Sequence, residues 1–266
     1  MRVLFAVFSY ELRRFSTYRV ATAAGVFTNS VFGVINAMVL LAVFDAKPEI
    51  NGYVAEDAVL QVFVAQAMIG PVAIFGPPLD LADRIRTGEI AVDLLRPVHP
   101  LLWWLAHDLG RAAFSLAFRS APTFTVGLLV FALPPPAAPE QWAGFAAAIL
   151  LATLVGFGLR YLYAISGFWL MDTRGVHATA WLLGTFASGM VLPLVLFPDA
   201  MAQVLRLLPF AALVQVPAEI LMDKATLPGG TIAGGLAYQA AWAAALIAIG
   251  TLLTARATRK VVVQGG

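Results

Sequence analysis

The sequence predicts an all-α, polytopic membrane protein, and two observations carry that class. Of its 266 residues 61% are apolar and only 12% charged, about half of the ~25% charge of a soluble domain. Six apolar runs, at about 20–44, 58–77, 112–133, 142–170, 178–197 and 232–255, reach the roughly 20 helical residues that cross a ~30 Å hydrocarbon core. The expected architecture is one membrane domain over 1–266 with six transmembrane helices. An N-terminal interfacial helix and short re-entrant outer helices before the last span complete it.

The N-terminal segment 1–19 is basic and amphipathic. Leu4, Phe8, Leu12 and Phe15 share one helical face, with Arg2, Ser9, Arg13 and Ser16 opposite. Such a helix lies in the membrane interface; the alternative is an ordinary flank of the first span. Glu11, Arg13 and Arg14 follow a short apolar stretch with no small-residue cleavage site, unlike a cleavable signal.

In the first span Thr22, Gly25, Asn29, Gly33 and Asn36 fall within an arc of roughly 80° at about 100° per residue. A polar, small-residue stripe in lipid faces protein or a wet cavity. Two readings stand: Thr22, Asn29 and Asn36 line a substrate path, or the stripe is interhelical glue. The third run opens with a second stripe, Asp108, Arg111, Ser115 and Arg119, preceded by Trp103 and Trp104, which suit the interface. Arg119 and Arg160 fall inside apolar runs, where a cation costs roughly 3 kcal/mol or more. Arg119 is expected to snorkel toward the cytosolic side or pair with an acid, and Arg160 to lie near the cytosolic leaflet; for both, the readings are a structural or an ion-translocating role.

The outer connections 45–57 and 134–141 are short and poor in charge. Residues 199–227 are divided by Pro209 and Pro217 into pieces of about ten residues, more suited to re-entrant or interfacial helices than to a span. Gly230 and Gly234 have the spacing of a close-packing motif at the start of a span.

Between the second and third runs lies LDLADRIRTGEIAVDLLRP, residues 79–97, with seven charges from Asp80 to Arg96. It follows Pro77-Pro78, which suits a helix start. Asp80 and Asp83 sit in a first turn, Thr87-Gly88 reads as a helix stop, and Glu89 and Asp93 open a second short helix ending at Arg96-Pro97. Leu81, Ile85, Val92 and Leu95 share a face if the two pieces are collinear. The alternative is a solvated linker.

Twelve Lys and Arg flank one side of the spans and three the other, which places both termini and the 79–97 loop in the cytoplasm. The chain has no cysteine, so thiol chemistry and cysteine-bound metals are excluded. No G-x-x-x-x-G-K-[ST] occurs, so the chain makes no phosphate cradle for ATP. His99, His107 and His177 lack ligand spacing, so no metal is expected. No acid lies at mid-depth in the runs, which argues against a proton- or sodium-coupled carrier.

At IRTGEIAVDLLRPVHP the chain resembles the type-2 ABC exporter permeases, six-span transmembrane subunits whose loop keeps a glycine, an acid and a Leu-Leu-Arg-Pro end. Here these are Gly88, Glu89, Leu94, Leu95, Arg96 and Pro97. The N-terminal helix, the long third span and the proline-punctuated outer helices agree with that pattern. The resemblance implies a dimer with a second permease, identical or homologous, seated on two ABC ATPase subunits that bind ATP and Mg. This chain itself would bind no cofactor and catalyse nothing. The 79–97 loop would be a coupling element, with Arg84, Arg86, Gly88, Glu89, Leu95, Arg96 and Pro97 at the ATPase contact. It further implies a multi-pass protein of the cell (inner) membrane that exports an amphiphilic, drug-like, lipid-like or glycan-type substrate. The rival readings are a secondary carrier or channel working without an ATPase, and a non-transporting assembly subunit.

Overall fold

The computed structural model describes residues 2–74, 79–136, 138–170 and 172–260. The Pro77-Pro78 helix start lies outside these residues. Helix α1 (Arg2–Ser16) leads through a short turn into α2 (Arg19–Ala46). A two-residue antiparallel hairpin, β1 (Glu49–Ile50) and β2 (Tyr53–Val54), then starts α3 (Ala55–Val72). The 79–97 loop folds as α4 (Leu81–Thr87) and α5 (Ile90–Leu94). Next come α6 (Pro100–Ser115), a π-turn at Leu116–Ser120 and α7 (Ala121–Val130), one continuous rod. Helix α8 (Pro139–Ile165) returns along it, followed by α9 (Arg174–Ala187). Two short helices, α10 (Asp199–Leu207) and α11 (Gln215–Met222), precede the last long helix, α12 (Ile232–Ala257).

The all-α class holds, and the chain is a multi-pass membrane protein. Among the described residues four helices are long and apolar enough to cross a bilayer: Arg19–Ala46, Pro100–Val130, Pro139–Phe168 and Ile232–Ala257. The expected run 178–197 is not one helix. Helix α9 has 14 residues, about 21 Å of rise against a ~30 Å core. It stops at Ser188, where Gly189 takes a positive φ of 78°, and Pro193 begins a separate turn. Hydropathy is blind to that break because every residue around it is apolar or small. The expected 58–77 run becomes α3, whose residues Ala58–Met68 are all buried among other helices.

Helix α8 is the central post. Gly144, Ala148, Ala152 and Gly156 repeat every fourth residue and are buried, so they form a small-residue stripe that lets neighbouring backbones approach. A Cβ on Gly156 would sit 2.9 Å from the Val72 carbonyl oxygen of α3. Leu60, Val64 and Met68 of α3, Val155 and Leu159 of α8, and Ala243 and Leu246 of α12 close the main core. In lipid such packing is held by dispersion and shape rather than by expulsion of water. Helix α2 buries Gly33, Ala37, Leu40 and Phe44 on one side. Its other side leaves Phe27, Phe32, Ile35 and Met38 exposed.

Gly230 and Gly234 do not pack between spans. Gly230 takes φ 67°, and a Cβ on Gly234 would meet the Pro228 carbonyl oxygen of the preceding turn. Thr231 caps α12 by accepting from the Gly234 amide at 3.0 Å. The pair shapes the start of the helix.

Candidate functional site

The end of the bundle that carries α4 and α5 also holds the ends of α6, α8 and α12. Leu81 and Ile90 are buried there with Leu101, Trp104, Phe157, Tyr161, Ile165 and Ala257, and Ile85 and Leu94 pack against them. Gly88 joins the two short helices with φ 81°, a left-handed conformation that side-chain-bearing residues adopt at a cost. That residue breaks collinearity and overturns the expected apolar face. Leu81 and Ile85 do point inward, but Ile90 and Leu94 replace Val92 and Leu95, which are 62% and 84% exposed.

The charged candidates divide into ties and free groups. Arg84 grips the buried Asp93 twice, Nε to Oδ2 at 2.5 Å and Nη2 to Oδ1 at 2.8 Å, and reaches Glu89 at 3.0 Å. Its hydrogen bond to Asp93 raises the Arg84 pKa above the ordinary value. Arg96 pairs with the same Asp93 at 3.0 Å and lies 4.2 Å over the Trp103 ring. Among the described residues Arg86 forms an ion pair with exposed Asp83 alone, at 3.2 Å. Glu89, Leu95 and Pro97 are exposed, and Gly88 has open space where a Cβ would stand. Asp93, which the sequence reading used only as a helix-start signal, is the hub. His99 caps α6 by accepting from the Leu101 amide at 3.3 Å.

Beside this element lies a cavity of about 650 Å³ between α1, the start of α2, the end of α3, α6 and α8. It is built on a buried charge network. Asp108 accepts from Arg111 Nε at 2.9 Å and from Arg160 Nη1 and Nη2 at 3.0 and 2.6 Å. Arg111 also donates to the carbonyls of Gly70 and Pro71 at 2.5 and 2.8 Å. It thereby satisfies the free carbonyls at the end of α3 and complements its dipole. On the opposite wall Glu11 is buried in the apolar face of α1, 2.9 Å from His107 and 3.3 Å from Arg14. Gly110 makes this crossing possible: a Cβ there would collide with the Phe8 carbonyl oxygen. Arg111 and Arg160 thus share one buried acid, the kind of partner that sequence reasoning allowed for Arg119. No acid pairs with Arg119 among the described residues, and its buried Nε has no hydrogen-bond partner among them.

The stripe on α2 faces protein. A Cβ on Gly25 would meet the Arg119 guanidinium, and one on Gly33 the Phe63 ring. Asn29 donates to the Gln66 carbonyl of α3 at 3.3 Å. Thr22 bonds its own helix at Tyr18 and lines the 650 Å³ cavity. Asn36 is half-buried two turns further on. Thr22 therefore meets a cavity, and Asn29 serves the seam between α2 and α3.

At the other end of the bundle a second polar network was missed by sequence reasoning. Glu219 is fully buried and pairs with Arg206 at 2.6 Å. It also accepts from Tyr53, Gln215 and Thr226 at 3.3, 2.8 and 2.9 Å. Gln61 of α3 donates to Gln215 at 2.6 Å. The hairpin, α3, α10 and α11 are pinned together by these bonds. The signal was the Gln215–Glu219 pair four residues apart in an otherwise apolar helix.

A family model described as ABC-2 family transporter protein matches residues 31–265. No curated protein matches the chain.

Proposed function

We propose how this chain is driven from one premise: it belongs to the ABC-2 transporter family and is the membrane-spanning permease component of an ABC transporter. In this reading it pairs with a second permease, identical or homologous, and with two ATPase subunits that bind ATP and Mg. It lies in the cell (inner) membrane with both termini and the α4–α5 element in the cytoplasm, and it crosses six times. Helix α3 and α9, continued by the irregular segment after it, supply the two crossings beyond the four long helices. Helix α1 lies in the interface. The cargo is an amphiphile that moves outward.

The observation that carries the reading is the exposed apolar pair on α5. Val92 and Leu95 stand in water on an element whose other apolar side chains are seated in the bundle. An apolar knob on a rigid charged frame is what a partner's cleft grips, since buried apolar anchors dominate protein contacts. Arg84 and Arg96 hold the frame through Asp93, while Arg86, Glu89 and Pro97 flank the knob. Because the frame is packed on α8, in one apolar cluster with the ends of α6 and α12, a push on Leu95 is passed into the membrane helices.

The test is purification of the chain from native membranes in mild detergent, with identification of its bound subunits. A stoichiometric ATPase carrying a phosphate loop is expected, and charge reversal at Glu89 or Arg96 is expected to weaken its recovery. Absence of an ATPase, with transport retained by this chain alone in vesicles, overturns the reading in favour of a carrier or channel.

A further inference from the structure

Two buried donors without partners line the same cavity. Ser115 Oγ, on the last turn of α6, and Arg119 Nε, on the π-turn that follows, find no hydrogen-bond acceptor among the described residues, and both residues line the 650 Å³ space. A buried hydroxyl left unpaired costs of order 1–3 kcal/mol, and an unpaired guanidinium more. Folded proteins therefore leave few such groups, and those that persist call for an explanation.

The other cations on the walls are already committed. Arg111 and Arg160 share Asp108, and Arg14 holds Glu11. The fourth arginine, Arg119, is the spare charge, and Asp80, the remaining lining acid, is exposed and makes no ion pair among the described residues. Two further features set the place of Arg119. The π-turn, in which the Ala121 amide reaches back to the Leu116 carbonyl, widens the helix there, as such turns do at functional sites. Gly25 admits the guanidinium itself against α2, where a Cβ would collide with it. The remaining walls include Phe15, Tyr18, Ile69 and Phe114, apolar surface adjoining the charged spot.

We infer that this cavity receives the anionic headgroup of an amphiphile, with Arg119 and Ser115 as the donors that hold it. An uncompensated guanidinium, which can only donate, beside a hydroxyl free to donate selects an oxyanion such as a phosphate, sulfate or carboxylate over a cation. The aromatic walls take up the start of its apolar tail. This deepens the proposed transport reading by naming the class of cargo, and it rests on that reading for the claim that the bound molecule is transported.

The binding claim is tested on the purified full chain in dodecyl maltoside without any ATPase, so it stands or fails apart from the coupling contact. Dodecyl phosphate is titrated while tryptophan fluorescence is followed, since Trp104 lines the cavity. Saturable binding is expected. Arg119→Gln should weaken it about 10-fold or more, and Arg119→Lys and Ser115→Ala less, as expected for a charge-assisted contact and a neutral one. Equal affinity in wild type and Arg119→Gln overturns the inference. So does equal binding of dodecyltrimethylammonium, and inorganic phosphate that binds as tightly as dodecyl phosphate removes the amphiphile from it. If Arg119→Gln does not purify, Arg119→Lys and Ser115→Ala decide: unchanged affinity in both overturns it.

Discussion

Replacing Asp108 by asparagine removes the negative charge that Arg111 and Arg160 share. The Asp108 side chain is 1% exposed, and those of Arg111 and Arg160 are 21% and 11% exposed. Three hydrogen bonds of 2.6 to 3.0 Å converge on its two oxygens. Asparagine keeps one acceptor oxygen and presents a donor to a second donor, so two guanidiniums lose their counter-charge in a largely buried site. Breaking a buried ion pair from one side costs about 3–5 kcal/mol. The retained acceptor points to the lower end, about 3 kcal/mol, which is roughly 100-fold in the folding equilibrium. The assay is unfolding of the purified chain by sodium dodecyl sulfate in mixed micelles, followed by tryptophan fluorescence. The double variant Asp108→Asn/Arg160→Gln should regain at least ~1 kcal/mol relative to the sum of the single changes, because groups in one ion-pair network couple. A loss under ~1 kcal/mol for Asp108→Asn, or additive single changes, would refute a structural role for the network.

Gly110→Ala should push α1 off α6, because its Cβ collides with the Phe8 carbonyl oxygen; a cost of about 1–3 kcal/mol and faster proteolysis within residues 2–16 are expected. Burial first, then the Glu219 carboxylate, raise the Tyr53 phenol well above its ordinary value of 10.0. With the folded pKa above the unfolded one, its contribution to stability is whole below about pH 10 and fades as pH rises toward the folded value. Absorbance at 295 nm should therefore show no Tyr53 ionisation near pH 10, read as the difference from Tyr53→Phe. Arg84→Ala strips the buried Asp93 of its doubly bonded partner, so about 2 kcal/mol of stability and the protection of the α4–α5 element from proteolysis should both fall.

The long helices were legible because a bilayer demands unbroken apolar runs: α2 and α12 start and stop within two residues of the expected bounds, and α8 starts three and stops five residues before them. The fifth run is not one helix, because apolar composition continues through Gly189 and Pro193, where the helical backbone does not. In the 79–97 element the Thr87-Gly88 stop was legible. Its consequence was not, since a left-handed residue rotates the second helix and exchanges Leu95 for Ile90 on the packed face. The stripe Asp108, Arg111, Ser115 and Arg119 was visible as a pattern. Which arginine found an acid depended on Arg160, 52 residues away and on another helix. Glu11 shows the same limit: an acid in an apolar helical face is anomalous in sequence, but only packing brings His107 to it.

The central claim is that the α4–α5 element is gripped through Leu95 by an ATPase. The chain has no cysteine, so Leu95→Cys gives a unique thiol that can carry a benzophenone photocrosslinker in native membranes. Met201 of α10, also exposed and near the opposite end of the bundle, provides the comparison as Met201→Cys. A light-dependent adduct between the Leu95→Cys chain and a subunit with a phosphate-loop sequence is expected, and none from Met201→Cys. Capture of the ATPase from Met201→Cys but not from Leu95→Cys would contradict it.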